Sequence, residues 1–503
     1  MFYAAATLYL TNTLVLFTII VVTMVCIELI QQKKRKLKST PEDGLLQPPT
    51  PRKLPIIGHL HLLGGYKIPY QAFNVLGEKF GDVVNLQLGN VKCVVINGQK
   101  NIREALVTKG HHFDSRPNFQ RYQQLFSGNK ENSLAFCDWS DTQRVRRELL
   151  KAHTFPRAFT EKFSTLDNTI CDEMASIVSQ IQPGVSTDLK LIILLHSANI
   201  FFKHFCSRSF EVSNPKLLEL VENFDEIFYE VNQGHAADFL PFLMHFHKRK
   251  MKKMNYLTHK IRDFIENEII EDRFENYNPD FEPEDYVDTL IHYVRSENTP
   301  ILTWDAALFS LEDIIGGHSA VANFLTKVFA FLVTEGEVQK KIQQEIDSVV
   351  GCDRLVNIND RNSMPFTQAV IYEAIRLIAS PIVPRVANQN SSIGGYRIEK
   401  GSVLFLNNYD LSMSDELWEE PNKFLPKRFI KNGKLVKPDH FLPFGGGRRS
   451  CMGYRMVHLL SFGIIGGLLQ HFSIIPVEGE CYEVPIGSLA LKKDTFKFQF
   501  VRR

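Results

Sequence analysis

The chain has 503 residues, of which 44% are hydrophobic and 23% are charged, so it has enough apolar material for a large folded core. The net charge of +2 is too balanced to indicate nucleic-acid binding. The eight cysteines form no C-x-x-C pair and no dense framework, which is typical of reduced thiols facing the cytosol.

The N-terminal segment over residues 2–27 carries no charged side chain. It exceeds the roughly 20 apolar residues that span a bilayer, and a cluster of Lys and Arg follows at 33–38. No basic start or small-residue cleavage site is visible, so we predict an uncleaved transmembrane anchor over residues 2–30. The positive-inside rule then places the basic cluster and all later residues in the cytosol.

Residues 31–55 form a basic and proline-rich segment, which includes prolines at 41, 48, 49, 51 and 55. Prolines disfavour helix and promote stiff, extended backbone. We predict a linker that holds one large catalytic domain, residues 56–503, in a fixed orientation relative to the membrane.

Within that domain, the runs at 82–88 and 91–96 flank Gly89 and Asn90 and predict a β-hairpin. Helical periodicity dominates from about residue 101 to 377, interrupted by prolines. Strand patterns return near 394–406 and 492–501. The predicted fold class is mainly α with a minor β region (α+β).

The most informative stretch is the loop at 444–453 around Cys451. Cys451 stands just before an apolar helical run, where free backbone N–H groups and the helix dipole favour a thiolate. Three preceding glycines allow a tight turn and close approach to a flat ligand. Arg448 and Arg449 supply cations suited to carboxylates. Metal ligation by the sulfur is the expected chemistry.

This loop resembles the haem-binding signature F-x-x-G-x-R-x-C-x-G of the cytochrome P-450 superfamily, which it matches at Phe444, Gly447, Arg449, Cys451 and Gly453. The resemblance implies the cytochrome P-450 fold, haem b as cofactor, and Cys451 as the axial iron ligand, whose thiolate favours O–O cleavage. The alternative, an inert buried cysteine before a packed helix, does not account for five matched positions.

A second constellation lies on an apolar helical run, where Glu373 and Arg376 are three residues apart and share a face. Burial there would require complete pairing of both charges. The pair resembles the family motif E-x-x-R, whose third member comes from a P-x-R-F segment and is matched here by Arg428. The resemblance implies a structural role that holds the haem-loop region.

Haem carries two propionates that need cations, and the resemblance implies Arg449 and Arg385 as two of their partners. A third usually comes from a W-x-x-x-R helix. Here Trp139 is followed at the fourth position by Gln143, with Arg144 as the candidate and Arg146 and Arg147 nearby. The alternative for most of these arginines is a basic face that docks an acidic redox partner.

The predicted distal helix departs from the family pattern (A/G)-G-x-(D/E)-T, in which an acid and an alcohol relay protons. In the matching stretch at 316–320, Ser319 replaces the acid and Ala320 the threonine. We predict His318 and Ser319 as catalytic residues that deliver protons by another route. The alternative is that both are ordinary polar side chains of a helix.

No P-loop and no G-x-G-x-x-G after a strand occurs in the sequence, so electrons must come from a separate protein. The resemblance implies an NADPH-dependent cytochrome P-450 reductase, with cytochrome b5 as a further candidate. It also implies the endoplasmic reticulum membrane, with the catalytic domain facing the cytosol. We expect the reductase to dock on basic residues: Arg144, Arg147, Lys151 and Arg448.

Two stretches, 132–141 and 316–320, are similar to the insect Spook/Spookier group of ecdysteroid-pathway enzymes. This resemblance implies a sterol substrate, dioxygen, and an early step between 7-dehydrocholesterol and the ketodiol. The residues themselves indicate only a large apolar substrate, with pocket segments at 224–228, 382–383 and 485–491. Two alternatives stay open: a haem-thiolate isomerase or dehydratase that needs no external electrons, and a non-catalytic haem-binding protein.

Overall fold

The computed structural model describes residues 44–66, 68–154, 156–296 and 301–503, together with positions 15 and 23. The predicted anchor at 2–30 and the first part of the predicted linker therefore lie outside the described residues, apart from those two positions.

Helices make up most of the described chain. Seventeen α-helices are present in it: α1 Leu60–Leu63, α2 Pro69–Phe80, α3 Gln99–Arg103, α4 Gln120–Leu125, α5 Asp141–Thr154, α6 Glu161–Gln180, α7 Leu189–Cys206, α8 Pro215–Val231, α9 Lys248–Ile265, α10 Glu271–Glu275, α11 Tyr286–Ser296, α12 Trp304–Ile315, α13 Gly317–Thr334, α14 Gly336–Val349, α15 Pro365–Ile378, α16 Asn408–Met413 and α17 Tyr454–His471. Short π-helical turns follow α3 and α9, and a 3-10 turn at Gly447–Arg449 precedes α17.

The strands are few and short: β1 Val83–Leu88, β2 Val91–Ile96, β3 Arg385–Val386, β4 Ser391–Ile393, β5 Tyr396–Ile398, β6 Val403–Leu406, β7 Ile430–Lys431, β8 Lys434–Leu435, β9 Phe472–Pro476 and β10 Phe498–Arg502. The main sheet has the order β1-β2-β6-β3, with β2 parallel to β6 and the other pairs antiparallel. The predicted hairpin is confirmed as β1 and β2. The mainly α fold with a minor β region is confirmed as well.

The core is built around α12 and α13, which form one long helix interrupted at Gly316. This helix and α7 are apolar and long enough to cross a membrane, but 83% and 78% of their apolar windows are buried inside the protein. A helix that is hydrophobic on all sides is expected in the centre of a large domain. Both are therefore core helices here.

The helix that follows Cys451 is held by close packing. A Cβ on Gly463 of α17 would lie 2.5 Å from Cγ2 of Ile170, and one on Gly467 would lie 2.8 Å from Cε of Met174. Both partners belong to α6, so glycine lets α17 approach α6 more closely than a larger residue could. This contact positions α17, which follows the Cys451 loop.

Candidate active site

The Cys451 loop is closed by its own backbone. The N–H of Cys451 donates to the carbonyl of Phe444 at 3.0 Å, and the N–H of Ser450 donates to the carbonyl of Gly447 at 3.1 Å. Gly447 has φ of +66°, and a Cβ there would lie 2.2 Å from the carbonyl oxygen of Leu106. Only glycine fits this position, so the loop must pass close under the segment that follows α3.

The electrostatics of the Cys451 thiol are mixed. Burial is the largest influence and raises its pKa, while backbone N–H groups of Gly453 and Tyr454 and the Arg147 guanidinium lower it. The backbone N–H groups at the helix start lower this pKa in the direction that the sequence predicts, but in the protein alone burial outweighs them. Residue 451 is nonetheless exposed to solvent, and we call the space beside it the Cys451 recess. A metal cation is the kind of partner that would stabilise the thiolate there.

Four arginines, which we call the arginine cluster, lie close to one another near the Cys451 loop: Arg116, Arg147, Arg385 and Arg449. Arg385 and Arg449 are only 3% and 6% exposed. Burial, then the charge of Arg449, lowers the pKa of Arg385 to about 9 and that of Arg147 to about 10. Burial, followed by Arg385 and Arg449, also lowers the pKa of Arg116. The cluster is therefore a concentration of mutually repelling positive charge.

Two donors of this cluster are unpaired. Among the described residues, the buried Nε atoms of Arg385 and Arg449 have no hydrogen-bond partner. A buried charged donor without a partner is costly, and buried like charges require anions. The two propionates of haem b supply carboxylates of the required sign, so the residues present fit the group. Arg385 and Arg449 are where the sequence predicts such contacts.

Of the other two members, Arg116 was not predicted, and Arg147 was named only as one of the arginines near the open propionate position of the Trp139 helix. Arg116 donates to the carbonyls of Ala135 at 2.9 Å and Val383 at 2.8 Å. Arg147 donates to the carbonyl of Ser450 at 2.6 Å, one residue from the predicted iron ligand. Arg116 precedes a proline in a loop, and nothing in its local pattern marks it as buried. Arg147 was also expected to be a docking residue.

The prediction that Arg144 contacts a propionate requires a correction, because the structure does not bring its side chain to the recess. Its side chain is exposed and pairs with Asp141 at 3.5 Å and Glu148 at 3.3 Å on the solvent side of α5. The Arg448 guanidinium lies over the Trp139 ring, with Cζ 4.5 Å from the ring centroid. Arg448 also forms an ion pair with Asp114. On α5, Arg147 rather than Arg144 faces the Cys451 loop.

Glu373 and Arg376 lie fully buried on α15 and form a two-point ion pair, with both N–O distances at 2.8 Å. Arg428 donates to the same carboxylate at 3.0 Å, as does the N–H of Leu425 at 2.8 Å. Arg376 also donates to the carbonyls of Ser412 and Pro421. The two guanidinium groups share one carboxylate and donate their other hydrogens to backbone carbonyls, and the triad joins α15 to the segments that lead towards the Cys451 loop.

The distal helix presents one accessible face. Asp313, Gly316, Gly317 and Ala320 are partly accessible, and their spacing of three, four and seven residues puts them on one side of the helix. His318 and Ser319 are both fully buried and lie away from this face. The structure thus separates the two predicted proton-relay residues from the accessible side of the helix.

The contacts of His318 follow from its burial. Its Nδ1 lies 2.7 Å from the carbonyl of Ile315, which can only accept, so Nδ1 carries the proton. Its Nε2 lies 3.4 Å from the Ser319 hydroxyl, and its ring meets the Phe224 ring edge to face, with centroids 5.2 Å apart. Burial lowers the pKa of His318 to about 4, so the ring is neutral near pH 7. These contacts fit the alternative interpretation, a packed polar side chain.

The predicted pocket segments lie beside these elements. A Cβ on Gly316 would lie 3.0 Å from the Phe224 ring, and one on Gly445 would lie 3.9 Å from Ile382. The N–H of Gly487 donates to the carbonyl of Ile378 at 2.7 Å. Apolar segments from three parts of the sequence thus border the distal helix, the Cys451 loop and the end of α15.

Comparison with known proteins gives consistent matches along the chain. The cytochrome P450 family model matches residues 48–500. Cytochrome P450 307a1 of Drosophila melanogaster is 36% identical over 479 residues, covering 90% of this chain and 88% of the relative. Steroid 17-alpha-hydroxylase/17,20 lyase of Felis catus is 30% identical over 457 residues, covering 87% and 88%. Cytochrome P450 1A1 of Macaca fascicularis is 28% identical over 460 residues, covering 86% and 88%.

The range matched by the family model contains the Cys451 loop, the arginine cluster and the Glu373 triad. The family implies haem-thiolate iron and monooxygenase chemistry. The chain belongs to the cytochrome P450 family and is a haem-thiolate monooxygenase.

Proposed function

We propose that this monooxygenase oxidises a sterol at an early step of ecdysteroid biosynthesis, between 7-dehydrocholesterol and the ketodiol. The distal turn at 316–320 carries this proposal, because it lacks the acid and the alcohol of the family pattern and resembles the Spook/Spookier group. The stretch at 132–141 supports it with a second resemblance. A relative that is named as a steroid hydroxylase supports a large, apolar, polycyclic substrate.

Haem b would be held in the recess at Cys451, with the sulfur as the proposed ligand of its iron. Arg385 and Arg449, assisted by Arg116 and Arg147, would neutralise the propionates. Phe444 and Gly447 shape the loop, and a Cβ on Gly453 would meet no described atom within 4 Å, which leaves room for a flat group. When bound, a thiolate-ligated haem iron supplies the oxidising chemistry of the family.

The substrate site is proposed to lie between the accessible face of the distal helix and the apolar segments around Phe224, Ile382 and 485–491. These side chains would bind a sterol mainly by burying its apolar surface and by excluding water. Asp313 is a titratable group on this face, and burial raises its pKa to about 6. Asp313 is proposed to lie at the polar end of the substrate site.

Proton handling is proposed not to depend on His318 or Ser319, since neither reaches the accessible face. Gly316, Gly317 and Ala320 carry no group that can hold a proton, and the Asp313 carboxylate on this face already accepts from Ser133 and Leu134. A hydroxyl of the sterol, or ordered water beside it, would have to occupy that position. The reaction would then depend on the substrate for a function that the family pattern assigns to the protein.

The missing acid and alcohol also favour a second candidate, an isomerase or dehydratase that needs no external electrons. One experiment separates the two: incubation of the reconstituted enzyme with 7-dehydrocholesterol and reductase, with NADPH or oxygen omitted in parallel samples, and mass analysis of the products. Monooxygenation predicts an oxygen-containing product only in the complete mixture. Product formed without oxygen would favour the second candidate, and no product at all would exclude this substrate.

The proposed partners are an NADPH-dependent cytochrome P-450 reductase and cytochrome b5, at the endoplasmic reticulum membrane with residues 56–503 in the cytosol. The uncharged segment at 2–27 and the basic cluster after it support this arrangement. Carbonate extraction of microsomes tests the anchor, and external protease tests the orientation. A catalytic domain protected from that protease would overturn the orientation.

A further inference from the structure

Two lysines are buried against the same C-terminal segment. Lys190 on α7 is 2% exposed and Lys327 on α13 is fully buried. An ammonium group in the protein interior is costly unless it is paired and hydrogen-bonded. Both lysines direct Nζ to backbone carbonyls of residues 485–492, so the segment itself satisfies them.

Lys327 holds the first half of this segment. Its Nζ donates to the carbonyls of Pro485 at 2.8 Å and Ser488 at 2.5 Å. Both acceptors are backbone atoms, so the contact fixes the path of the chain rather than any side chain. The two carbonyls are drawn to one point on α13.

Lys190 holds the second half. Its Nζ donates to the carbonyls of Leu491 at 3.1 Å and Lys492 at 3.2 Å, and it forms an ion pair with Asp225 of α8 at 2.6 Å. The carboxylate compensates the buried ammonium. Helices α7 and α8 are therefore joined to the segment through one cation.

Asn323, one turn before Lys327, completes the arrangement. Its Oδ1 accepts from the N–H of Leu491 at 2.7 Å. Its Nδ2 donates to Asp225 at 2.7 Å and to the carbonyl of Ser319 at 2.8 Å. The same side chain thus contacts the segment, the ion pair and the turn that carries the accessible distal face.

We propose that Lys190, Asn323 and Lys327 form a buried clamp that fixes residues 485–492 as one wall of the sterol site. The inference rests on the proposed function, because it takes the accessible side of the distal helix as the substrate side. The clamp contacts backbone atoms of the segment, which leaves side chains such as Ile486 and Leu489 to form the apolar surface. The three residues are positioning residues that determine sterol affinity and orientation.

The clamp itself is tested by hydrogen–deuterium exchange of the full-length holoenzyme. We expect the amides of 485–492 to exchange at least about tenfold faster in Lys190→Met and Lys327→Met. Lys493→Met is the matched control, because Lys493 directly follows the segment but forms an exposed ion pair with Glu222 of α8. Exchange at the wild-type rate in both buried variants would overturn the clamp. Asn323→Ala, which removes no charge, replaces either variant that fails to fold.

The positioning role is tested by titration with 7-dehydrocholesterol, followed by the shift of the Soret band. The dissociation constant should rise about tenfold or more in the clamp variants and not in Lys493→Met, while the ferrous–CO spectrum stays unchanged. Faster exchange with unchanged sterol affinity would show that the clamp residues do not position the sterol. If the wild type binds no 7-dehydrocholesterol, the proposed substrate fails, and the same titration with an azole ligand of the haem iron decides the positioning role.

Discussion

The Asp313 carboxylate of the distal helix accepts a hydrogen bond from the N–H of Leu134 at 2.6 Å. The neighbouring carbonyls of Ala135 and Cys137 accept from Arg449 at 3.2 and 2.7 Å. One short loop therefore joins the distal helix to the arginine cluster. This loop lies within the stretch at 132–141 that resembles the Spook/Spookier group, so the resemblance coincides with the connection between the two sides of the site.

Substitution of the predicted iron ligand is the first test. Cys451→Ser should lose the red-shifted Soret band of the ferrous–CO complex, because that band depends on a thiolate ligand. Cys137→Ser is a matched control, since Cys137 is a free buried cysteine beside Arg449 that we do not expect to bind iron. Retention of the band in Cys451→Ser would show that another residue ligates the iron.

The Glu373 triad should be needed for haem retention and stability. Glu373→Gln leaves the buried charges of Arg376 and Arg428 without their counter-ion, which typically costs about 3–5 kcal/mol. Haem content per chain and the midpoint of urea unfolding are the measurements. Glu420→Gln, which removes an exposed partner of Lys423, should change neither. A Glu373→Gln protein that loads haem and unfolds like the wild type would contradict the structural role.

His318 and Ser319 should be dispensable for coupling. Because both side chains lie away from the accessible face, the double variant His318→Ala with Ser319→Ala should form hydrogen peroxide and product in nearly the wild-type ratio. A residue that relays protons typically contributes about 10²–10⁴-fold, which such a measurement would detect. Strong uncoupling would restore both residues as the relay and would require the distal helix to rotate or unwind.

Stability should decline in acid partly through His318. The lowered folded-state pKa of about 4 means that, below the ordinary value of 6.5, the unfolded chain binds a proton that the folded chain does not. Stability is therefore lost as the pH falls from 6.5 towards 4, with a slope of up to about 1.4 kcal/mol per pH unit for one proton. His318→Leu should flatten the profile of unfolding free energy against pH over this interval. Identical profiles would contradict burial of the ring.

Reduction by the reductase should depend on the exposed part of the predicted docking set. Arg144 and Lys151 are exposed, whereas Arg147 and Arg448 already bond to Ser450 and Asp114. Arg144→Glu with Lys151→Glu should slow the first electron transfer and weaken its dependence on salt. Lys92→Glu, at an exposed lysine of the sheet, is the control. Unchanged reduction kinetics in the double variant would show that the reductase does not dock on this basic face.

Local spacing was enough to predict several features. The hairpin follows from Gly89 and Asn90 between two apolar runs, and the Glu373 and Arg376 pair follows from a three-residue step on an apolar helix. In both cases neighbours in the sequence determine the geometry. The site residues around Cys451 followed from a resemblance over ten consecutive positions.

Helix faces and buried cations could not be predicted in the same way. Arg144 and Arg147 are equally basic, and only the packing of α5 decides which one faces Cys451. His318 and Ser319 match a catalytic motif by position, yet the rotation of α13 turns them into the core. Lys190 and Lys327 look like surface residues in the sequence, because the backbone carbonyls that accept from them lie 158 to 302 residues further along the chain.

The parallel pairing of β2 with β6 has a consequence for biosynthesis. Val94 pairs with Leu404, so the sheet that carries Arg385 cannot be completed until most of the polypeptide has been made. During translation β2 has an unpaired edge, which is a hazard for aggregation. Cofactor capture must then be a late event on a nearly finished chain, and a slow supply of haem should leave a long-lived, protease-sensitive apoprotein.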